Sequence, residues 1–228
     1  MKIHKQSTDC IVNAAWKYWY PRGQERLVKS LKDVGFKGDI LTWSNEHINE
    51  WFDEKQPYTI KLAAIREALD AGYENILWLD CSVWAVRPVD EIFEVIKNEG
   101  GYFWPSGYNM AQCSTDSDLH FAGWTRNDAE KLAELSSSMF GLNTKNFRSE
   151  IFFNWFYEAK HYGVFGTPRQ HNNGSQDPRY LHGRQDQTAA TIAFYKAGFD
   201  KIYPPKVYSM YDVDGEAPDS VIFRMRGM

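Results

Sequence analysis

Short apolar runs alternate with helical apolar stripes along the first eighty residues of the chain. Residues 10–15 and 39–43 are short runs, and residues 76–79 form an unbroken apolar run. Because runs of this length are too short for ordinary helices, they predict strands, and the unbroken run predicts a strand buried on both faces. Between them, residues 24–34 and 57–71 carry apolar side chains at helical spacing. The order strand, helix, strand, helix, strand predicts a parallel βαβ sheet.

The later part of the chain has a less regular pattern. Periodicity there predicts helices at residues 90–98, 149–160 and 186–197, and strands at residues 101–104 and 201–203. Residues 105–123 show no clear period, so we expect a long irregular segment, and residues 170–179 have the composition of a polar loop. Asn127 and Glu130 have the spacing of a capping box, which predicts a helix that continues through Leu135.

Composition bounds the class of protein. With 228 residues, 43% of them hydrophobic and 25% charged, we expect residues 1–228 to form a single α/β domain with a mostly parallel central sheet flanked by helices. A net charge of −4 without a dense Lys/Arg run disfavours nucleic acid as the main partner. The 9 Trp and 13 Tyr suit a site that stacks flat rings such as bases or sugars, although the core is the usual place for any one of them.

Cysteine usage and hydropathy bear on the compartment. Cys10, Cys81 and Cys113 are widely spaced and odd in number, which is typical of free thiols in a reducing compartment. The chain begins with polar residues and has no stretch near 18 apolar residues. We therefore expect no membrane span and a cytoplasmic protein.

The first candidate for chemistry is the end of the unbroken apolar run. Asp80 follows that run directly, and Ser82 comes two residues later. In open α/β sheets, ligands bind just beyond the carboxyl ends of such strands, so Asp80 stands where a ligand would be met. A carboxylate with a second oxygen donor nearby can hold a divalent cation that grips a diphosphate. Alternatively, Asp80 only caps the turn that follows the strand.

Two further groups have suitable side chains. Residues 182–187 crowd polar side chains at the start of a predicted helix, although Asp186 there is equally typical of an acid that stabilises a helix N-terminus. Trp16 and Arg22 follow the first predicted strand, and Lys61 lies on the helix before the third. Arg and Lys side chains can neutralise a diphosphate, although single ones are more often solvated surface charges.

Three stretches of the chain resemble a known family. NILWLDCSVWAVRPVDEIF is similar to the strand and loop that carry the DxD motif of GT-A nucleotide-sugar glycosyltransferases, here in a D-x-S form. PYTIKLAAIREALDAGYE resembles the helix that leads into that motif, and HGRQDQTAATIAFYKAG resembles a downstream segment of transferase-like families. The three occur in the expected order and cover roughly residues 10–205.

The resemblance implies roles for residues from all three stretches and from the first loop. Residues that would bind the nucleotide sugar are Ala14, Trp16, Arg22, Lys61, Asp80, Ser82 and Gln187. Asp80 would match the first DxD carboxylate and Ser82 would replace the second, which is often a direct metal ligand. The resemblance therefore implies a Mn²⁺ or Mg²⁺ cofactor held by Asp80, Ser82 and His182, in a site where the neutral hydroxyl of Ser82 replaces the second carboxylate.

The resemblance also implies a catalytic residue and an acceptor region. Asp186 would lie near the reacting sugar, either to orient the acceptor or, in an inverting enzyme, to act as general base. Trp104, Tyr108 and Trp124 would bind the acceptor, which remains open between a glycan, a protein and a modified nucleic acid. The implied reaction is transfer of a sugar from a UDP- or GDP-sugar donor to a hydroxyl of that acceptor.

Other classes of protein share parts of this pattern. A nucleotidyltransferase would need a Gly-rich basic loop after the first strand, which WKYWYPRGQER matches poorly. A haloacid-dehalogenase-type phosphatase would need a second carboxylate where DCSV has none. The strongest rival is a non-catalytic carbohydrate- or nucleotide-sugar-binding protein with a degenerate DxD site.

Overall fold

The computed structural model describes residues 3–17, 19–166 and 174–226. Its strands, in chain order, are β1 (Asp9–Ala15), β2 (Asp39–Ser44), β3 (Asn75–Leu79), β4 (Val83–Ala85), β5 (Gly101–Tyr102), β6 (Pro105–Asn109), β7 (Ala133–Leu135), β8 (Met139–Asn143), β9 (Ser209–Tyr211) and β10 (Phe223–Met225). Its α-helices are α1 (Tyr20–Asp33), α2 (Ile60–Asp70), α3 (Asp90–Glu99), α4 (Met110–Cys113), α5 (Asp116–Ala122), α6 (Arg126–Ala129), α7 (Phe147–His161) and α8 (Asp186–Lys196).

A five-stranded sheet with the order β2-β1-β3-β8-β5 forms the centre of the molecule. Strand β1 pairs in parallel with β2 and with β3, whereas β8 runs antiparallel to both β3 and β5. The predicted α/β class with a central, mostly parallel sheet is therefore confirmed. Every residue of β3 is buried, as its unbroken apolar sequence predicts for a strand covered on both faces.

Alternate side chains of the central strands pack into two hydrophobic clusters, one on each face of the sheet. Val12 and Trp78 belong to the cluster that includes apolar residues of α2, α7 and α8. Ile11 and Leu77 belong to the cluster that includes apolar residues of α1 and α3. Side chains alternate between faces along a strand, so each central strand contributes to both clusters. Because helices cover both faces of the sheet, the strand ends are the place where a ligand can bind.

The segment after β5 is more regular than expected. The prediction of an irregular segment over 105–123 is wrong, because β6, α4 and α5 lie there. Short helices α4 and α5 begin with capping boxes at Asn109 and Thr115, whose side chains accept from the backbone N–H of the third helical residue. These helices are too short to give a helical period in the sequence, so the capping residues are the only sequence signal that predicts them.

Two other predicted elements differ from the structure. The capping box before α6 is made by Thr125 and Asp128, and the predicted helix through Leu135 is wrong because the chain leaves α6 after Ala129 and forms β7, which pairs with β6. The predicted strand at 201–203 is also wrong, since those residues form no strand. The late strands are instead β9 and β10, which form a small sheet with β4. Strand β5 covers only the first half of the predicted 101–104.

Two expectations are only partly addressed by the described residues. Positions 170–173 of the predicted polar loop lie outside them. Within the described ranges, no helix has both the length and the apolar character needed to cross a membrane. The single domain over 1–228 stays a prediction.

Candidate active site

A cavity of about 540 Å³ opens at the carboxyl ends of β1 and β3. Predicted site residues on its wall are Ala14, Trp16, Lys61, Asp80, Ser82, Asp186 and Gln187. They come from the ends of β1 and β3, from α2 and from the start of α8, so the fold brings together segments that are far apart in the sequence. The cavity lies where open α/β sheets bind ligands.

Lys61 of α2 lies on the cavity wall between the carboxylates of Asp80 and Asp186. Its side chain is 5% exposed, and its Nζ donates to Asp186 Oδ2 at 2.6 Å and to the carbonyl oxygen of Ser137 at 2.6 Å. The same Nζ lies 3.3 Å from Asp80 Oδ1. An ammonium group has three protons, and a buried one is tolerated only when it is paired. Here three oxygen atoms surround it, so Lys61 fixes the two carboxylates relative to each other.

The charges of this group influence one another. Burial alone would lower the pKa of Lys61, but the carboxylates of Asp186 and Asp80 outweigh it and raise that pKa, so the ammonium stays charged. Burial raises the pKa of Asp80, Lys61 counteracts the rise, and the charge of Asp186 adds to it. Asp80 Oδ1 also accepts from the indole Nε1 of Trp78 at 2.7 Å. The side chain of Asp80 is nevertheless 36% exposed, so it reaches the cavity.

Asp186 is the first residue of α8 and is held from two sides. Besides Lys61, the hydroxyl of Ser137 donates to Asp186 Oδ2 at 2.6 Å. The preceding residue, Gln185, has a φ of 43° and a ψ of −111°, a backbone conformation that non-glycine residues adopt only at a cost of about 1–3 kcal/mol. Such strain persists where the surrounding contacts require it. Gln185 directly precedes Asp186, so its backbone conformation helps to direct the Asp186 side chain to the cavity wall.

Sequence reasoning missed the serine segment 136–138, which connects β7 to β8. The three serines line the cavity and are almost fully buried. Ser137 contacts both Lys61 and Asp186, and the carbonyl of Ser138 accepts from the backbone N–H of Asp80 at 2.7 Å. The segment was missed because a helix was predicted through Leu135. Serines that follow a helix do not by themselves indicate a binding site.

Aromatic side chains form much of the remaining wall. Those that line the cavity are Trp16, Tyr20, Tyr58, Trp78 and Tyr211. Burial and the nearby charge of Asp186 raise the pKa of Tyr58 to about 12, so its hydroxyl remains a hydrogen-bond donor at neutral pH. Flat rings combined with polar tips suit a ligand that has both ring faces and hydroxyl groups.

Gln187 and Arg184 belong to the other side of the cavity. Gln187 Nε2 donates to Glu134 Oε2 at 2.8 Å, which ties the amide to a buried carboxylate behind the wall. Arg184 Nε donates to His182 Nε2 at 2.6 Å, and the Arg184 guanidinium lies 5.1 Å from the ring centroid of Tyr108. Tyr108 also packs edge-on against the His182 imidazole, with 5.3 Å between the ring centroids. His182 and Tyr108 therefore stand behind Arg184 rather than on the wall.

The structure does not bring Arg22, Trp104 and Trp124 to this cavity. Arg22 is exposed on α1, with its guanidinium 5.8 Å from the ring of Trp19. Trp104 is fully buried and packs against Tyr211, with 5.5 Å between the ring centroids. Trp124 lines a separate surface depression. Trp104 has no exposed surface to offer an acceptor, so its predicted role finds no support in its position.

The residues implied as metal ligands do not fit a metal centre. Asp80 and Ser82 reach the cavity, but Asp80 Oδ1 already contacts Lys61 and Trp78, and Ser82 adds only a neutral oxygen. His182 Nε2 accepts a hydrogen bond from Arg184. Across the described parts of the chain, no group of three or more His, Cys, Asp or Glu side chains is arranged to hold a metal ion.

The central, mostly parallel sheet, the helices on both faces and the cavity at the strand ends are those of an open α/β fold that meets its ligand at the strand ends. No family model and no curated protein sequence matches the chain. Among solved structures, the apo structure of WbbM, a bifunctional glycosyltransferase, matches with a TM-score of 0.59 at 10% identity, over 99% of this chain and 46% of that one. A glycosyltransferase involved in the glycosylation of the major capsid of PBCV-1 matches with a TM-score of 0.47 at 12% identity, over 95% of this chain and 93% of that one. At such identities the likeness describes the fold alone, and it rests on WbbM.

Proposed function

We propose that this protein transfers a sugar from a nucleotide-diphosphate donor to an acceptor hydroxyl. The observation that carries the proposal is the pair of carboxylates, Asp80 and Asp186, fixed by the single buried ammonium of Lys61 at the ligand-binding end of the sheet. The glycosyltransferase-like fold is consistent with this proposal. Because one fold can host many functions, the proposal depends on the site rather than on the fold.

The donor half of the site would use the groups near the ends of β1 and β3. Ala14 and Trp16 line the cavity at the end of β1 and in the loop that follows it, where a flat ring can pack against a nucleotide base. Asp80 and Ser82 would accept hydrogen bonds from ribose or sugar hydroxyls. Gln187 would contribute through its side chain from the opposite wall.

The catalytic half would depend on Asp186. Lys61 and Ser137 hold its Oδ2, so the carboxylate has a fixed orientation at the cavity. It would orient the acceptor hydroxyl or take its proton, while the acceptor oxygen bonds to the anomeric carbon and the bond to the diphosphate breaks. A positioned general base contributes roughly 10²- to 10⁴-fold to a reaction rate.

The experiment is a panel of UDP- and GDP-sugars assayed for binding by calorimetry and for release of the nucleotide. The substitution Asp186→Asn should lower the release rate roughly 10²- to 10⁴-fold while the donor still binds. Asp70→Asn is the matched control, because Asp70 forms an exposed ion pair with Arg66 on α2, away from the cavity. Failure of every nucleotide sugar to bind the wild-type protein would refute the proposal.

A second candidate is a nucleotide-sugar-binding protein without activity. One observation favours it: Asp186 Oδ2 is already engaged by both Lys61 and Ser137, as is typical of a carboxylate with a structural role. Under this alternative, a donor would bind tightly and Asp186→Asn would change neither its affinity nor any rate. Release of nucleotide by the wild-type protein above the Asp186→Asn level separates the two functions.

A further inference from the structure

Arg184 is a cation held in place on the cavity wall. Its Nε–H is used by His182 Nε2 at 2.6 Å, and its guanidinium plane is supported by the ring of Tyr108 at 5.1 Å. A guanidinium has five N–H donors, and the bond to His182 uses one of them. Arg184 also interacts with the side chain of Cys113 and with the charge of Glu134. Arginine held at one side in this way is suited to bidentate binding of a phosphate group.

The contact with Arg184 also decides what His182 can do. An imidazole nitrogen binds a metal ion through the same lone pair that accepts a hydrogen bond. Since His182 Nε2 accepts from Arg184, that nitrogen cannot ligate a metal while the bond exists. The residue that the family resemblance would make a metal ligand is, in this chain, a support for a cation.

The charged side chains on the cavity wall also favour Arg184 as the group that binds an anionic ligand. The cationic side chains that line it are Lys17, Lys61 and Arg184, and the carboxylates are Asp80 and Asp186. Lys61 is engaged with both carboxylates, so Arg184 and Lys17 are the cations on this wall that an entering anion would meet. Lys17 is exposed, whereas Arg184 is half-buried and its side chain contacts His182 and Tyr108.

We infer that Arg184, positioned by His182, binds the diphosphate of the donor, and that this site takes its donor without a divalent cation. The inference rests on the proposed function. It assigns Arg184 to binding and His182 to positioning, and it replaces the metal centre that the D-x-S sequence and His182 would otherwise suggest.

The test is calorimetric titration of the full-length protein with UDP and with GDP, once in EDTA and once in Mn²⁺. We expect one of the two nucleotides to bind with the same Kd in both buffers. Arg184→Gln should weaken that binding roughly tenfold to a hundredfold, the range expected for loss of a charge-assisted contact. Arg184→Lys should recover part of the loss, because it keeps the charge but not the bidentate geometry.

The matched control is Arg148→Gln, which removes the same charge from the surface of α7, where Arg148 lies 3.9 Å from Asp200. It should leave the Kd unchanged. The role of His182 is tested by rescue: His182→Ala should weaken binding, and His182→Gln should restore it, because the glutamine carbonyl can accept from Arg184 Nε. Circular dichroism and thermal unfolding of each variant confirm that it is folded.

The possible results are distinct. Binding that requires Mn²⁺ would overturn the inference and leave the proposed function standing. Binding in EDTA that is unaffected by Arg184→Gln and Arg184→Lys would overturn the role of Arg184. If neither nucleotide binds in either buffer, the proposed function fails and the inference fails with it.

Discussion

The centre and the rim of the cavity are built in different ways. At the centre, Lys61 and Asp186 have side chains that are 5% and 12% exposed, and three oxygen atoms surround the ammonium. At the rim, Arg184 is half-buried, hydrogen-bonds His182 and lies beside the ring of Tyr108. Buried charges are costly unless they are paired, so removing one member of the centre should destabilise the fold. The rim can change its contacts with a ligand at little cost to the fold.

The largest effect is expected from Lys61→Met. Without the ammonium, Asp80 and Asp186 would face each other across a buried gap, and breaking such a group costs about 3–5 kcal/mol. Urea unfolding of the variant should show this loss. Adding Asp186→Asn to the variant should restore part of the stability, since it removes one of the uncompensated charges.

Lys29→Met is the control for that substitution, because Lys29 forms an exposed i,i+4 pair with Asp33. Exposed pairs contribute little, so its unfolding curve should match the wild type. Equal destabilisation by the two lysine substitutions would remove the contrast between a structural centre and an adaptable rim.

A smaller loss is expected from Gly23→Ala in α1. A Cβ at this position would collide with the backbone carbonyl of Cys81, next to Asp80. Overpacking of this kind typically costs about 1–3 kcal/mol, and it should push the loop with Asp80 away from α1. Chemical denaturation measures the cost and nucleotide binding measures the displacement. Glu25→Ala, at an exposed position on the same helix, should affect neither; normal binding by Gly23→Ala would mean that this packing does not set the position of Asp80.

The pH dependence of stability should identify Lys61 as a paired, buried ammonium. Its folded pKa lies above the ordinary value of 10.5, so its contribution is complete below that value and is lost as the pH rises through the folded pKa. The unfolding free energy should therefore fall on the alkaline side by at most about 1.4 kcal/mol per pH unit for this one group. Measured as the difference between wild type and Lys61→Met, the alkaline slope should begin near the ordinary lysine pKa. A difference that is constant with pH would contradict the pairing.

The smallest effect is expected at the rim, from Tyr108→Leu. This change removes the ring beside the Arg184 guanidinium, an interaction worth about 0.5–1 kcal/mol at a partly exposed site. Nucleotide affinity should fall roughly twofold to fivefold with no change in stability. Tyr108→Phe keeps the ring and should bind as the wild type does. A loss of stability as large as that of Lys61→Met would show that the rim is structural too.

Much of the fold was accessible from the sequence, because β1, β2 and β3 and the helices between them have strong apolar periods. The antiparallel strand β8 was missed, since its five residues include Gly141 and follow three serines without a turn signal. Strand β7 was mistaken for helix because three residues carry no period, and only pairing with β6 makes them a strand.

The site was predictable in its parts but not in its connections. Asp80 and Asp186 each stood out locally, one at a strand end and one at a helix start. That Lys61 joins them, that Ser137 supports Asp186, and that His182 contacts Arg184 are facts of tertiary structure. The resemblance to the DxD motif predicted a metal site at Asp80, Ser82 and His182. A sequence pattern does not show that the lone pairs of Asp80 Oδ1 and His182 Nε2 already accept hydrogen bonds within the protein.

We propose that this cavity is the donor site of a glycosyltransferase. The most direct test is release of UDP or GDP from a panel of nucleotide sugars, by wild type and by Asp186→Asn, with binding measured in parallel. We expect release of UDP or GDP by the wild type, and a strong reduction in Asp186→Asn with binding retained. No binding and no release with any donor would contradict it.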